Sequence, residues 1–237
     1  MSVFSDLAAQ YGRLNPMPVS HSDLVARAQK EGGVCVALSV MYLAAYALER
    51  GADPFEDKFA RMLNDRNNDL VIRQLQNAED SRVETFRRAL AASRSAGPAE
   101  RLQILTDLWR GVGFANSVTS ALDAFGCRRL TLYNPTNADP MIFSFQDNHP
   151  YSNVGQYVIS QPGLHFIKLP THALAAVCDD VQGDPFAYFF VDVNFGEFKS
   201  TSARNLKDFI NDFMRRYASS NYEGDNDPCG VLTYRIG

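Results

Sequence analysis

Three side chains, remote from one another in the chain, carry complementary chemistry: the thiol of Cys35, the imidazole of His172 and the carboxylate of Asp192. Cys35 follows Gly32, Gly33 and Val34 and opens the apolar run VCVALSVMYLAAYALERG. A cysteine on the first turn of a helix meets free backbone N–H groups and the positive end of the helix dipole, and both favour the thiolate. His172 starts one apolar run, Ala173–Cys178, and Asp192 ends another, Phe186–Val191. The polar segment Asp179–Asp184 between them, followed by Pro185, reads as a turn, so the two runs form a β-hairpin. A hairpin symmetric about position 182 sets His172 directly opposite Asp192 on one sheet face. Opposed residues have Cβ atoms about 4.5–5.5 Å apart, close enough for a carboxylate to fix the imidazole tautomer and stabilise its cation. Asn194 has the same parity and is the alternative partner for His172. The combined chemistry is thiolate attack on a carbonyl carbon, with His172 moving the proton. The Cys35 N–H points at the developing oxyanion. The side-chain amide of Gln29, six residues earlier, is the candidate second donor.

The surrounding chain supplies elements that can position these groups. Val34, Leu38, Met41, Ala45 and Leu48 recur at helical spacing, the helix is apolar nearly all round, and Gly51 stands as its C-cap. That pattern predicts a central buried helix with Cys35 at its start. Residues 1–20 contain an amphipathic stretch, Val3–Tyr11, that ends in NPMPVS, and they read as an arm or loosely docked segment. Ser20 or Ser22 can cap a short helix that runs to about Lys30. Residues 54–113 read as helical throughout, with apolar stripes at Val83, Phe86, Leu90 and at Leu102, Leu105, Trp109, Val112. The charged positions between the stripes read as solvated faces, and RSAGP at 94–98 as an inter-helix turn. Ser117–Phe125 reads as a further short helix.

From residue 127 the texture becomes that of strands: RRLTLY (128–133), MIFSF (141–145), LHFIKL (164–169), the hairpin arms, 198–201 and VLTYRI (231–236). Residues 146–162 are polar and read as an irregular loop on the substrate side. Leu206, Phe209, Ile210, Phe213, Met214 and Tyr217 define an amphipathic helix. Helices first and an antiparallel sheet second make an α+β fold, with an arm at 1–20 and one catalytic domain over 21–237.

A chain of 237 residues that is 46% hydrophobic can bury one substantial core. The net charge of −4 gives no phosphate-binding surface, so no nucleic-acid partner is expected. Cys35, Cys127, Cys178 and Cys229 are scattered, without a CxxC or Cys/His cluster, so neither a metal site nor a cofactor is expected. Cys127 and Cys178 lie in apolar runs and read as small core residues. Taken alone, Cys35 reads the same way. His21 and His149 sit in polar turns, and His165 alternates with apolar neighbours as a sheet residue does. The N-terminus lacks the basic start and apolar run of a secretory signal peptide, and no segment holds the roughly 20 apolar residues needed to span a bilayer.

The blocks GGVCVALSVMYL, HALAAVCDD and FFVDVNFGEF resemble those of the YopT/AvrPphB-type virulence cysteine proteases, a branch of the papain-like superfamily. That family has a Gly-x-Cys opening a helix, a His-Ala-aliphatic-Ala-Ala strand, and an apolar strand ending in Asp-x-Asn-aromatic-Gly-Glu-Phe. Cys35, His172 and Asp192 match its triad, and Phe195, Gly196, Glu197 and Phe198 its trailing motif. Gln29 stands six residues before the nucleophile, as in papain-like enzymes. Thr171 departs from the family's usual Gly before the His, and Val193 from its Pro after the Asp. The likeness covers these blocks and the helix at 204–218, not residues 52–160. It implies a papain-like fold, with the Cys-bearing helix packed on the antiparallel sheet, and peptide-bond hydrolysis through a thioester. It also implies a bacterial effector, secreted without a cleavable signal peptide, that acts on a protein in the cytoplasm of a host or rival cell. A secretion chaperone or an immunity protein would be its other partner. The same three groups equally serve a deamidase, transglutaminase or acyltransferase, and a third reading is a catalytically inactive binding module.

Overall fold

The computed structural model describes residues 2–18, 34–49, 55–97, 114–133, 141–143, 152–169, 172–179, 188–218 and 229–236, with isolated positions between them. The helices are α1 (Val3–Tyr11), α2 (Cys35–Leu48), α3 (Phe55–Asn64), α4 (Asn68–Ala92), α5 (Phe114–Ala124), α6 (Ser152–Ser160) and α7 (Ala203–Phe213), the last continued by a π-turn over Met214–Ala218. The strands are β1 (Arg13–Asn15), β2 (Leu130–Tyr133), β3 (Met141–Phe143), β4 (Gly163–Lys168), β5 (Ala173–Cys178), β6 (Tyr188–Asp192), β7 (Gly196–Ser200) and β8 (Cys229–Ile236). They form one sheet in the order β1-β7-β6-β5-β4-β8-β2, with β3 on β8 beside β2, and the described pairings are all antiparallel. The fold is α+β, as the texture of the sequence predicts.

Helices cover both faces of the sheet. On one side α2, α3, α4 and α5 pack against Leu164, Phe166, Ala173, Ala175, Val177, Phe189 and Val191. On the other, α1, α6 and α7 pack against Ile167, Leu174, Ala176, Phe190 and Phe198. Because both faces are covered, β4 and β5 are almost continuously apolar rather than alternating. Helix α2 lies deepest. Twelve of its fourteen residues are buried, from Cys35 to Tyr46.

Val3–Tyr11 does not hang as an arm. Ser2 and Ser5 cap α1 reciprocally, and Phe4, Leu7 and Ala8 are buried against α7 and the sheet. The Phe4 ring meets Phe209 edge-on at 5.1 Å and stacks on Phe195 at 5.7 Å. Strand β1 then extends the sheet at β7, with Leu14 opposite Phe198.

Residues 152–160, expected as part of an irregular loop, form α6. Val154 and Val158 are one helical turn apart and both buried. Gly155 reads as a breaker, yet it permits close packing on α7: a Cβ there would lie 2.5 Å from the Lys207 carbonyl oxygen. In α4 the buried stripe is Ile72, Leu75, Gln76 and Glu79, ahead of the stripe expected at Val83, and it takes a carboxylate inside. The turn expected at 94–98 begins as a 3₁₀ turn at Ser93–Ser95. The short helix expected after Ser20, the Gly51 cap and most of 98–113 lie outside the described residues.

Removing the Phe4 ring leaves a cavity between α1, α7 and the sheet. Phe4→Ala should cost about 3–5 kcal/mol of unfolding free energy in a denaturant titration. A loss within about 0.5 kcal/mol would return α1 to the status of a loosely docked arm.

Candidate active site

The N-terminus of α2, the start of β5 and the end of β6 meet at one end of the sheet. Val34 precedes the helix without a side-chain cap, and Cys35 is the first helical residue. Its N–H therefore has no intrahelical acceptor. The thiol is hydrogen-bonded to the His172 side chain and also accepts the backbone N–H of Ala173, the first residue of β5. His172 Nε2 donates to Asp192 Oδ1 at 3.1 Å, which leaves Nδ1 as the ring nitrogen for the thiol. Exposure falls along this line, from 8% at Cys35 to 4% at His172 and 0% at Asp192. All three residues are thus buried, Asp192 completely.

The strand register differs from a hairpin centred on 182. Ala175 pairs with Val191 and Cys178 with Tyr188, which moves the centre to 183 and puts position 194, not 192, in line with His172. Asp192 is the diagonal neighbour, two residues removed and on the same face. Its carboxylate still reaches the ring, because diagonal pairs lie about 7–8 Å apart at Cα and side chains span that gap. Asn194, the sequence alternative, is exposed and turns its backbone to the site: its N–H donates to Asp192 Oδ1 at 2.9 Å. The segment Val193–Phe195 is a tight turn, closed by Phe195 N–H to the Asp192 carbonyl at 2.9 Å. Gly196 follows with φ +132°, in the region that favours glycine. A Cβ there would also lie 2.5 Å from the Asn15 carbonyl.

Within the trailing motif, Glu197 is the tie to the helix that carries the thiol. The Tyr42 hydroxyl donates to Glu197 Oε2 at 2.5 Å, and Asn15 Nδ2 donates to Glu197 Oε1 at 3.2 Å. Burial nonetheless pushes the Glu197 carboxyl up to about 7. Tyr46 makes a second tie, to Asp179 Oδ2 at 3.3 Å. Phe198 stacks on Phe209 at 4.0 Å.

The electrostatics follow from burial and pairing. Burial alone would raise the Cys35 thiol. The hydrogen bond and charge of His172, then the charge of Lys168 and the Ala173 N–H, outweigh it and hold the thiol below its ordinary value. Burial alone would lower the His172 pKa, but the charge and hydrogen bond of Asp192, with the Cys35 thiol, push it up to about 9. A thiolate–imidazolium pair is therefore favoured. By contrast, burial raises the Cys127 thiol to about 11. Burial likewise raises Cys229 well above the ordinary range. None of the four cysteines is in a disulfide.

The sequence did not single out Lys168 or Glu79, which form a buried ion pair beside the site at 2.8 Å. The available signal was a lone lysine inside the apolar strand LHFIKL, which must find a partner if both sheet faces are covered. His165 is a buried sheet residue, with Nδ1 3.0 Å from the Thr233 hydroxyl, and burial lowers its pKa to about 3. Gln29, the candidate second oxyanion donor, lies outside the described residues, as do Thr171 and residues 180–187 of the hairpin turn. Among the described residues no group of three His, Cys, Asp or Glu side chains is placed to hold a metal ion, and no helix is long and apolar enough to cross a membrane.

No protein-family model matches the chain, and no curated protein matches it. Among solved structures the chain is similar to PatoxP, a cysteine protease-like domain of the Photorhabdus asymbiotica toxin PaTox. The identity is 12% and the TM-score 0.27, over 97% of this chain and 86% of that one, a likeness too distant to carry a functional argument.

The His172 shift has a sign that can be tested. A raised imidazole pKa stabilises the fold fully below about 6.5, and that contribution is lost as pH climbs through about 9. Asp192→Asn removes the charge that holds it up. The ring protons of His172, followed by NMR, should then titrate at least one unit lower than in the parent protein. A titration unmoved by the substitution would contradict the pairing.

Proposed function

We propose that this protein is a cysteine protease of the YopT/AvrPphB type, with the helix and sheet arranged as in papain-like enzymes. The observation that supports this reading best is the unbroken line of contacts from the Cys35 thiol through His172 to the buried Asp192 carboxylate. In the proposed mechanism the Cys35 thiolate attacks a peptide carbonyl carbon and forms a tetrahedral oxyanion. The Cys35 N–H holds that oxyanion, with the Gln29 amide as the proposed second donor. His172 gives its proton to the leaving amine, a thioester remains, and water, deprotonated by His172, hydrolyses it. Asp192 keeps Nε2 protonated and Nδ1 aimed at sulfur.

The motif blocks support a bacterial effector that acts on a protein of a host or rival cell, with a chaperone or immunity protein as a further partner. The second reading, a deamidase or acyltransferase, uses the same groups and differs only in what attacks or leaves.

Cys35→Ala should fold normally and lose at least roughly 10⁴-fold of the wild-type rate on the target protein. Intact-mass spectrometry of the treated target separates the reactions. Fragments are expected for proteolysis, whereas a full-length target carrying only the mass of an amide-to-acid conversion would replace protease by deamidase. Activity retained in Cys35→Ala would refute both.

A further inference from the structure

Lys168 is the last residue of β4, opposite Ala173 in the register, and Ala173 is the residue whose N–H meets the Cys35 sulfur. The ammonium does not reach solvent; its side chain and that of Glu79 are each 4% exposed. It pairs with Glu79 Oε1 at 2.8 Å and donates to two backbone carbonyls, Leu169 at 2.7 Å and His172 at 3.3 Å. Those carbonyls stand at the two ends of the connection from β4 to β5, which is also closed by Leu169 N–H to the His172 carbonyl at 2.9 Å. Glu79 in turn meets Arg82 at 3.4 Å, and Arg82 donates to Ser117 on α5 at 2.6 Å. Two helices and the sheet are thus tied to the peptide that presents the catalytic imidazole.

A buried ion pair contributes little net stability, because desolvation offsets attraction and apolar residues of equal size pack as well. Filling the core does not explain it. Its placement at the His172 carbonyl and beside the thiol does.

We propose that the Lys168–Glu79 pair is a positioning device of the site, in which Lys168 fixes the backbone at His172 and sets a positive charge near Cys35. The inference rests on the Cys–His reading above. The charged or titratable groups that act on the Cys35 thiol are His172 and Lys168. Those that act on His172 are Asp192 and Cys35. Glu79 and the Cys229 thiol face Lys168. Removing the lysine charge should make the Cys35 thiolate harder to form, whereas removing its counter-ion should make it easier. A purely structural pair predicts no such opposition of sign.

The test is the rate of Cys35 alkylation by iodoacetamide across pH, followed by peptide mass spectrometry in the full chain. Near-ultraviolet circular dichroism checks that each variant is folded. Lys168→Met should move the acid inflection of the rate up by about one unit, a roughly tenfold loss of rate below it. Lys168→Arg should keep the parent profile, and Glu79→Gln should move the inflection down. An unmoved inflection in Lys168→Met, or shifts of the same sign in Lys168→Met and Glu79→Gln, would overturn the proposal. If Lys168→Met does not fold, Glu79→Gln decides: a downward shift supports the proposal, and no shift or an upward one overturns it. A parent Cys35 that alkylates no faster than Cys127 at neutral pH would instead overturn the Cys–His reading itself, and this inference with it.

Discussion

A carboxylate with no solvent exposure must be matched by donors, and at Asp192 this requirement governs the site. Moving such a charge out of water costs several kcal/mol even after relaxation. The structure answers with the His172 ring at 3.1 Å and the Asn194 N–H at 2.9 Å, both on Oδ1. One nitrogen of the imidazole is thereby committed, so the other is fixed in identity and direction. The positive ring is favoured, and the thiol it faces becomes acidic. A buried acid two contacts away from the sulfur thus helps to set how acidic the thiol is.

The scaffold serves that line by making the helix and the hairpin immovable with respect to each other. Helix α2 is buried almost all round, and two tyrosines on it reach across to carboxylates on the sheet, Tyr42 to Glu197 and Tyr46 to Asp179. A hydrogen bond contributes about 0.5–1.5 kcal/mol net, so these ties add direction to the apolar packing more than strength. The tight turn after Asp192 and the positive φ of Gly196 return the chain so that Glu197 falls beneath the helix. The motif thus holds both sides of the sheet: Glu197 ties α2 through Tyr42, while Phe195 and Phe198 pack against α1 and α7.

Much of this was legible in the sequence, for identifiable reasons. Cys35, His172 and Asp192 stand at the boundaries of apolar runs, where polar side chains gather at the ends of elements. The hairpin centre was misjudged by one position because turn residues mark a turn without fixing its register. The pairing survived because a shift of two residues in register preserves the face. The Lys168–Glu79 pair was not legible: the lone lysine of LHFIKL called for a partner, but an acidic residue on a helix face reads as solvated until a sheet is known to lie against it. Helix α6 was hidden because residues 146–162 are polar as a whole, and its two buried valines find their partners on α7. The docking of α1 was hidden because Phe4 finds its partners on α7, some two hundred residues away.

The central claim is that Cys35 rests as a thiolate because His172 rests as a cation. Far-ultraviolet difference absorbance between the protein and its Cys35→Ser variant, in slightly acidic buffer, measures this directly. The account predicts the absorbance of one thiolate, lost when His172 is replaced by alanine in the same pair of proteins. No thiolate signal in the parent protein, or a signal unchanged without His172, would contradict it.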